Sequence, residues 1–223
     1  MRKLISLVSA ILLLSVASWG NAGGCFDSAP DFDDCNVRAK GGDARAQFNL
    51  GVMYFEGKGV LQNYRKAFEW TSKAAAQGYA RAQFNLGVRY YKGQGVLQDY
   101  HKAFEWYSKA AVQGHDEAQF NLGTAYSEGE GVLQDYHKAF EWYSKAAAQG
   151  FASAQFNLGM RYYKGQGVSQ DYVMAHMFWN LAAAQGDKCA AGARDDLAKL
   201  MTPSQIEEAQ RRAREWFFNQ NKI

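Results

Sequence analysis

The chain has 223 residues, 48% hydrophobic and 15% aromatic, enough apolar material for a continuous core. Its formal net charge of +3 rests mostly on Arg2 and Lys3, so no field suited to nucleic acid or an acidic membrane follows. Glycine is plentiful at 22 and proline scarce at 2, and sixteen glycines recur in four sets at a period of 36, which excludes disorder, flexible linkers and collagen and points to stacked units.

The chain opens on a leader pattern. Arg2-Lys3 is a positive start, Leu4 to Val16 is an apolar stretch too short to span a bilayer comfortably, and Gly20-Asn21-Ala22 places small residues at a cleavage site. Residues 1–22 read as a signal peptide cut after Ala22, with export to the bacterial periplasm or beyond. A competing reading is a lipoprotein site at Ala22-Gly23-Gly24-Cys25, acylated on Cys25, although the leucine usual at its start is missing.

Three cysteines, Cys25, Cys35 and Cys189, would remain in an oxidising compartment. Cys25 and Cys35 are ten apart and can close a short loop worth ~2–3 kcal/mol. Cys189 falls at the far end of the array, with four helix layers between, roughly 40 Å away and beyond the reach of a bridge. Cys25–Cys35 is therefore the expected disulfide and Cys189 a free thiol.

Residues 23–42 read as an N-terminal half repeat, with Phe32 in the register of Phe68. Two helical patterns then alternate four times over 43–186. The first covers Asp43 to Glu56, Ala80 to Lys92, Asp116 to Glu128 and Ala152 to Lys164, and carries A-Q-F-N-L-G-x-x-Y. Leucine and tyrosine four apart share a face, and a mid-helix glycine, costly by ~1 kcal/mol, implies close helix contact. G-x-G-V ends each such helix with a left-handed cap residue. The second helix opens at Asn63, Asp99, Asp135 or Asp171, all good N-caps, and closes at Gln-Gly. Residues 187–223 read as capping helices, in which Thr202, Pro203 and Gln205 form a capping box. Helix-two positions that are polar in three copies become Met174, Met177 and Leu181 in the fourth. The C-terminal helix, through Ile206, Ala209, Ala213 and Trp216, is their expected cover; a second copy of the chain is the other.

The pattern A-Q-F-N-L-G-x-x-Y-x-x-G-x-G-V-x-x-D-Y-x-K-A-x-x-W-x-x-K-A-A-x-Q-G resembles the Sel-1-like repeat, a relative of the tetratricopeptide repeat. The resemblance covers 43–186 and implies an all-α fold, a right-handed superhelical αα-solenoid. It further implies a scaffold that binds protein or peptide on the concave face lined by the first helices. Some members resemble immunity partners of periplasmic toxins. Some cysteine-rich members bind or weakly hydrolyse β-lactams, but they carry a cysteine pair in each repeat, which is absent here.

The copies themselves point to a surface. Repeats two and three differ at nine positions, eight of them in the first half: Tyr79/His115, Ala80/Asp116, Arg81/Glu117, Val88/Thr124, Arg89/Ala125, Tyr91/Ser127, Lys92/Glu128 and Gln94/Glu130. Arg81, Asn85, Val88 and Lys92 form one helix stripe, with equivalents around Asn49, Asn121 and Asn157. One reading has the asparagines pairing with an extended peptide backbone; the other has them bonding a neighbouring repeat. Glu56, Lys92, Glu128 and Lys164 alternate in sign, which suggests pairs between repeats. Tyr91 and Tyr163 are the expected aromatic anchors. The candidate binding set is Asn49, Arg81, Asn85, Arg89, Tyr91, Lys92, Asn121, Asn157, Arg161, Tyr163 and Lys164.

No catalytic constellation emerges. His101, His115, His137 and His176 lack metal-ligand spacing on one helix, and no nucleophile elbow or phosphate loop is present. The sequence therefore predicts a monomeric, non-enzymatic binding scaffold that needs no cofactor and has no nucleic-acid partner and no integral membrane segment once the leader is removed.

Overall fold

The computed structural model describes residues 24–26 and 31–220. The leader, its cut after Ala22, and Pro30 lie outside them. Eleven helices and no strands occur among the described residues. They are α1 (Phe32–Lys40), α2 (Ala44–Glu56), α3 (Tyr64–Ala76), α4 (Ala80–Lys92), α5 (Tyr100–Ala111), α6 (Asp116–Glu128), α7 (Tyr136–Ala148), α8 (Ala152–Lys164), α9 (Tyr172–Ala184), α10 (Lys188–Ala198) and α11 (Pro203–Gln220). Each helix up to α10 packs on its predecessor, and α11 folds back onto α9. The result is an αα-solenoid in which each hairpin buries its apolar face against its neighbours.

Local chemistry sets the boundaries. Asn63, Asp99, Asp135 and Asp171 each accept the backbone N–H three residues on, at 2.9–3.0 Å. Gly57, Gly93, Gly129 and Gly165 cap the first helices in the left-handed region, with φ of 65–76°. The second glycine of G-x-G has another task. A Cβ on Gly131 would run into the Tyr100 carbonyl of the preceding repeat, so the turn needs both positive φ and a bare backbone. The mid-helix glycines allow the close approach expected of them: a Cβ on Gly87 or Gly123 would lie 2.6 Å from the ring of Tyr107 or Tyr143.

A buried amide ladder joins the units. Gln47, Gln83, Gln119 and Gln155 donate Nε2 to Ala39, Ala75, Ala111 and Ala147 of the preceding helix at 3.1–3.5 Å. Their Oε1 atoms accept from Gln77, Gln113, Gln149 and Gln185 at 2.7–2.9 Å. The glutamines repeated in A-Q-F and Q-G are thus one hydrogen-bonded spine, in which each buried polar group has a partner. Beside it, Phe68–Tyr90, Phe104–Tyr126 and Phe140–Tyr162 meet edge to face at 5.3–5.5 Å across successive repeats. Phe32–Tyr54 repeats the contact at 5.8 Å, which places α1 in the register of a second helix.

Both ends are closed. Cys25 and Cys35 form a disulfide with Cα atoms 4.6 Å apart, and Cys189 is free and exposed. At the other end α11 covers the apolar patch of α9. Ala209 and Ala213 are buried there, Trp216 meets Phe178 edge to face at 5.3 Å, and Met177 and Leu181 are buried beneath. Thr202 and Gln205 form the expected reciprocal box, with Thr202 N–H donating to Gln205 Oε1 at 2.9 Å and Gln205 N–H to Thr202 Oγ1 at 3.3 Å. The C-terminal helix thus provides the expected cover. No helix among the described residues is long and apolar enough to cross a membrane.

Candidate functional site

The first helices and their G-x-G turns face one another across three junctions between repeats. The middle junction, between repeats two and three, opens into a cleft of about 330 Å³. Tyr91, Lys92 and Tyr100 from repeat two and Asn121, Thr124, Ala125 and Glu130 from repeat three line it, with Tyr107 and Phe104 behind. The cleft has a specific cause. The residue at its floor belongs to the repeat column Met53, Arg89, Ala125, Arg161. Where that residue is long it fills its junction; Ala125 leaves the middle one empty.

One carboxylate, Glu130, and one ammonium, Lys92, line the cleft. Burial pushes the Tyr91 phenol up, and the neighbouring Glu130, which hydrogen-bonds to it, pushes the same way. Tyr107 is raised mainly by burial, against the opposing effect of a hydrogen bond with Asn121. Lys92 is exposed and reaches out to solvent at the rim.

A second concavity of about 400 Å³ lies between Arg81 and Asn85 of α4 and His115, Asp116 and Glu117 at the start of α6. His115 stacks on Phe84 at 4.7 Å, and burial lowers its pKa. The stripe expected along α4 thus runs from this concavity to the cleft.

The remaining candidates divide. Arg89 and Arg161 are 4% and 9% exposed, and therefore do not form part of an open binding face. Arg89 lies with its guanidinium 4.7 Å above Phe55, and burial pushes its pKa down to about 10. Arg161 sits 5.1 Å from the Tyr136 ring and donates Nη1 to Gln166 Oε1 at 3.0 Å. Each has turned into a junction, where an aromatic face compensates part of its lost hydration. Met53 and Ala125 in the same column were the available signal that the position points inward.

Tyr163 is half-buried, with Tyr172 stacked on it at 5.6 Å, as Tyr100 lies 5.2 Å from Tyr91, and with Trp179 5.7 Å away. Lys164 is exposed. Asn49 donates to the Cys25 carbonyl at 2.6 Å, and Asn121 bonds Tyr107 of the preceding repeat. Asn85 and Asn157 instead donate to Arg81 and Ser153 carbonyls of their own helices at 2.9 Å. Among the described residues no ion pair links Glu56, Lys92, Glu128 and Lys164 to one another; Glu56 pairs with Lys58 at 2.6 Å, within its own turn. Nor do three or more His, Cys, Asp or Glu side chains gather there in a way that would hold a metal.

The helical unit is matched by the family model for the Sel1 repeat four times without a gap, at residues 44–79, 80–115, 116–151 and 152–187. The chain belongs to the Sel1 repeat family. Among solved Sel1-type folds, c5321, described as a protective antigen present in uropathogenic Escherichia coli strains, shares 42% identity at a TM-score of 0.71, covering 72% of this chain and 34% of that one. A Sel1 repeat protein from Oxalobacter formigenes shares 37% at a TM-score of 0.69, covering 75% and 50%. A putative sel1-like repeat-containing protein, L18, of Acanthamoeba polyphaga mimivirus is 42% identical over 45 residues, 20% of this chain and 8% of its own. The matches thus span half or less of each relative's length. Helical Sel1 scaffolds of this kind are typical of protein–protein interaction.

Proposed function

We propose that this Sel1 repeat chain is a non-enzymatic scaffold that binds a protein or an extended peptide along its first helices, with the cleft at the middle junction as anchor point. One observation carries the reading. Val88, Tyr91, Lys92, Thr124, Ala125 and Glu130 all line the cleft, and all stand at positions where repeats two and three differ on an otherwise near-identical frame. Variation concentrated around one cleft of a near-constant scaffold is what selection for a partner would leave. The Cys25–Cys35 disulfide and the leader pattern support action outside the cytoplasm, in the periplasm or beyond. In this reading 23–42 and 187–223 serve as caps around the 43–186 array.

The test is affinity capture from a periplasmic extract with mass spectrometry, comparing the full chain with Tyr91→Ala/Lys92→Ala. Loss of specific partners with an unchanged far-UV helix signal is the expected result. Equal capture by the variant would move the binding surface away from the cleft.

A further inference from the structure

The chain holds its own precedents for what fits the cleft. At the first junction the Arg89 guanidinium lies over Phe55, with Nε and Nη1 unpartnered; at the third the Arg161 guanidinium lies by Tyr136 and bonds Gln166. Shifting these receptors by one repeat gives the middle junction. Phe55 becomes Tyr91, Tyr136 becomes Tyr100 and Gln166 becomes Glu130. All three line the cleft, and the two rings sit 5.2 Å apart. The middle junction has therefore kept the aromatic walls that hold an arginine, lost the arginine at Ala125, and exchanged the accepting amide for a carboxylate.

We propose that the cleft between repeats two and three receives an arginine side chain from the partner protein, with the guanidinium against Tyr91 and Tyr100 and paired with Glu130. This rests on the scaffold reading above and names the partner's chemistry. Arginine fits better than lysine, because a planar guanidinium stacks on aromatic faces and presents a fork of donors to one carboxylate. Lys92 also lines the cleft, but its exposed, flexible ammonium is screened by solvent. The nearby charges that bear on Tyr91 are those of Glu130 and Glu128, both acidic.

The experiment uses the full chain labelled with 13C at alanine methyls, and three probes: the amides of acetyl-arginine, acetyl-citrulline and acetyl-lysine. The Ala125 methyl resonance should move saturably with acetyl-arginine amide, and about tenfold more weakly with the neutral citrulline isostere and with lysine. Glu130→Gln should weaken arginine binding severalfold without abolishing it, since Gln166 accepts Arg161 in the third junction. Ala125→Arg, which copies repeats two and four, should abolish it with no loss of thermal midpoint. Equal response to citrulline, no saturable response, or undiminished binding by Glu130→Gln overturns the proposal, and the last holds even where Ala125→Arg fails to fold. Silent arginine probes together with partners lost by Tyr91→Ala/Lys92→Ala would sink this inference and leave the scaffold standing. A responsive cleft with unchanged capture would sink the scaffold's use of the cleft and leave the arginine site.

Discussion

The second and third junctions are built from nearly the same letters and end in different states. Both have the edge-to-face pair, Phe104–Tyr126 in one and Phe140–Tyr162 in the other, both have the glutamine spine, and both press a G-x-G turn onto the helix behind. They part at one column. Arg161 fills the third junction against Tyr136 and Gln166, whereas Ala125 leaves the second open between Tyr91, Tyr100 and Glu130. In a stacked array, interface geometry is fixed by residues common to all copies. A single long side chain then decides whether an interface is sealed or available.

The largest expected effect breaks the common frame. Gly131→Ala would drive a Cβ into the Tyr100 backbone at φ +71°, and backbone cannot swing aside. We expect a loss of ~3–5 kcal/mol in urea unfolding, matched by the equivalent Gly167→Ala. If Gly131→Ala alone were mild, the two junctions would not share one geometry. Arg161→Ala should cost less, ~1–3 kcal/mol, through lost packing on Tyr136 and a lost bond to Gln166. It should also open a second cleft, seen as new solvent exposure of Tyr136 by hydrogen exchange or tyrosine fluorescence. A sealed third junction in that variant would mean that Arg161 is not what closes it.

The architecture was largely legible because its determinants are local. N-cap aspartates, left-handed glycines and a capping box act within four residues of the helix ends they define, and so helix limits and period came through. The Met174, Met177 and Leu181 patch was legible because a departure among near-identical copies stands out. The binding set fared worse, for a physical reason. Arg89 and Arg161 sit one turn from exposed positions, in a column buried in every copy, and the ring in the neighbouring repeat lets a guanidinium lie there. Tyr163 was likewise drawn against Trp179, while Tyr172 repeats on it the contact that Tyr100 makes with Tyr91. Side-chain direction at a junction depends on its partner, and no helix-wheel stripe carries that information.

The smallest expected effect concerns the last repeat, where the comparison with the middle turns on His176. It occupies the column of Phe104 and Phe140, is 3% exposed, and has no partner for Nδ1. Burial lowers its pKa, Arg194 lowers it further, and Asp195 opposes them. A base whose folded pKa lies below its unfolded value resists protonation in the fold. Between the two values the unfolded chain binds the extra proton, so stability is lost as pH falls through about 6.5 toward the folded pKa. His176→Phe, which copies the middle repeats, should therefore raise the unfolding free energy modestly at pH 7, by ~1 kcal/mol or less. Its advantage over the parent should widen as the pH is lowered toward 5. A parallel pair of stability–pH curves would show instead that the imidazole titrates alike in both states, and that water reaches it in the fourth repeat.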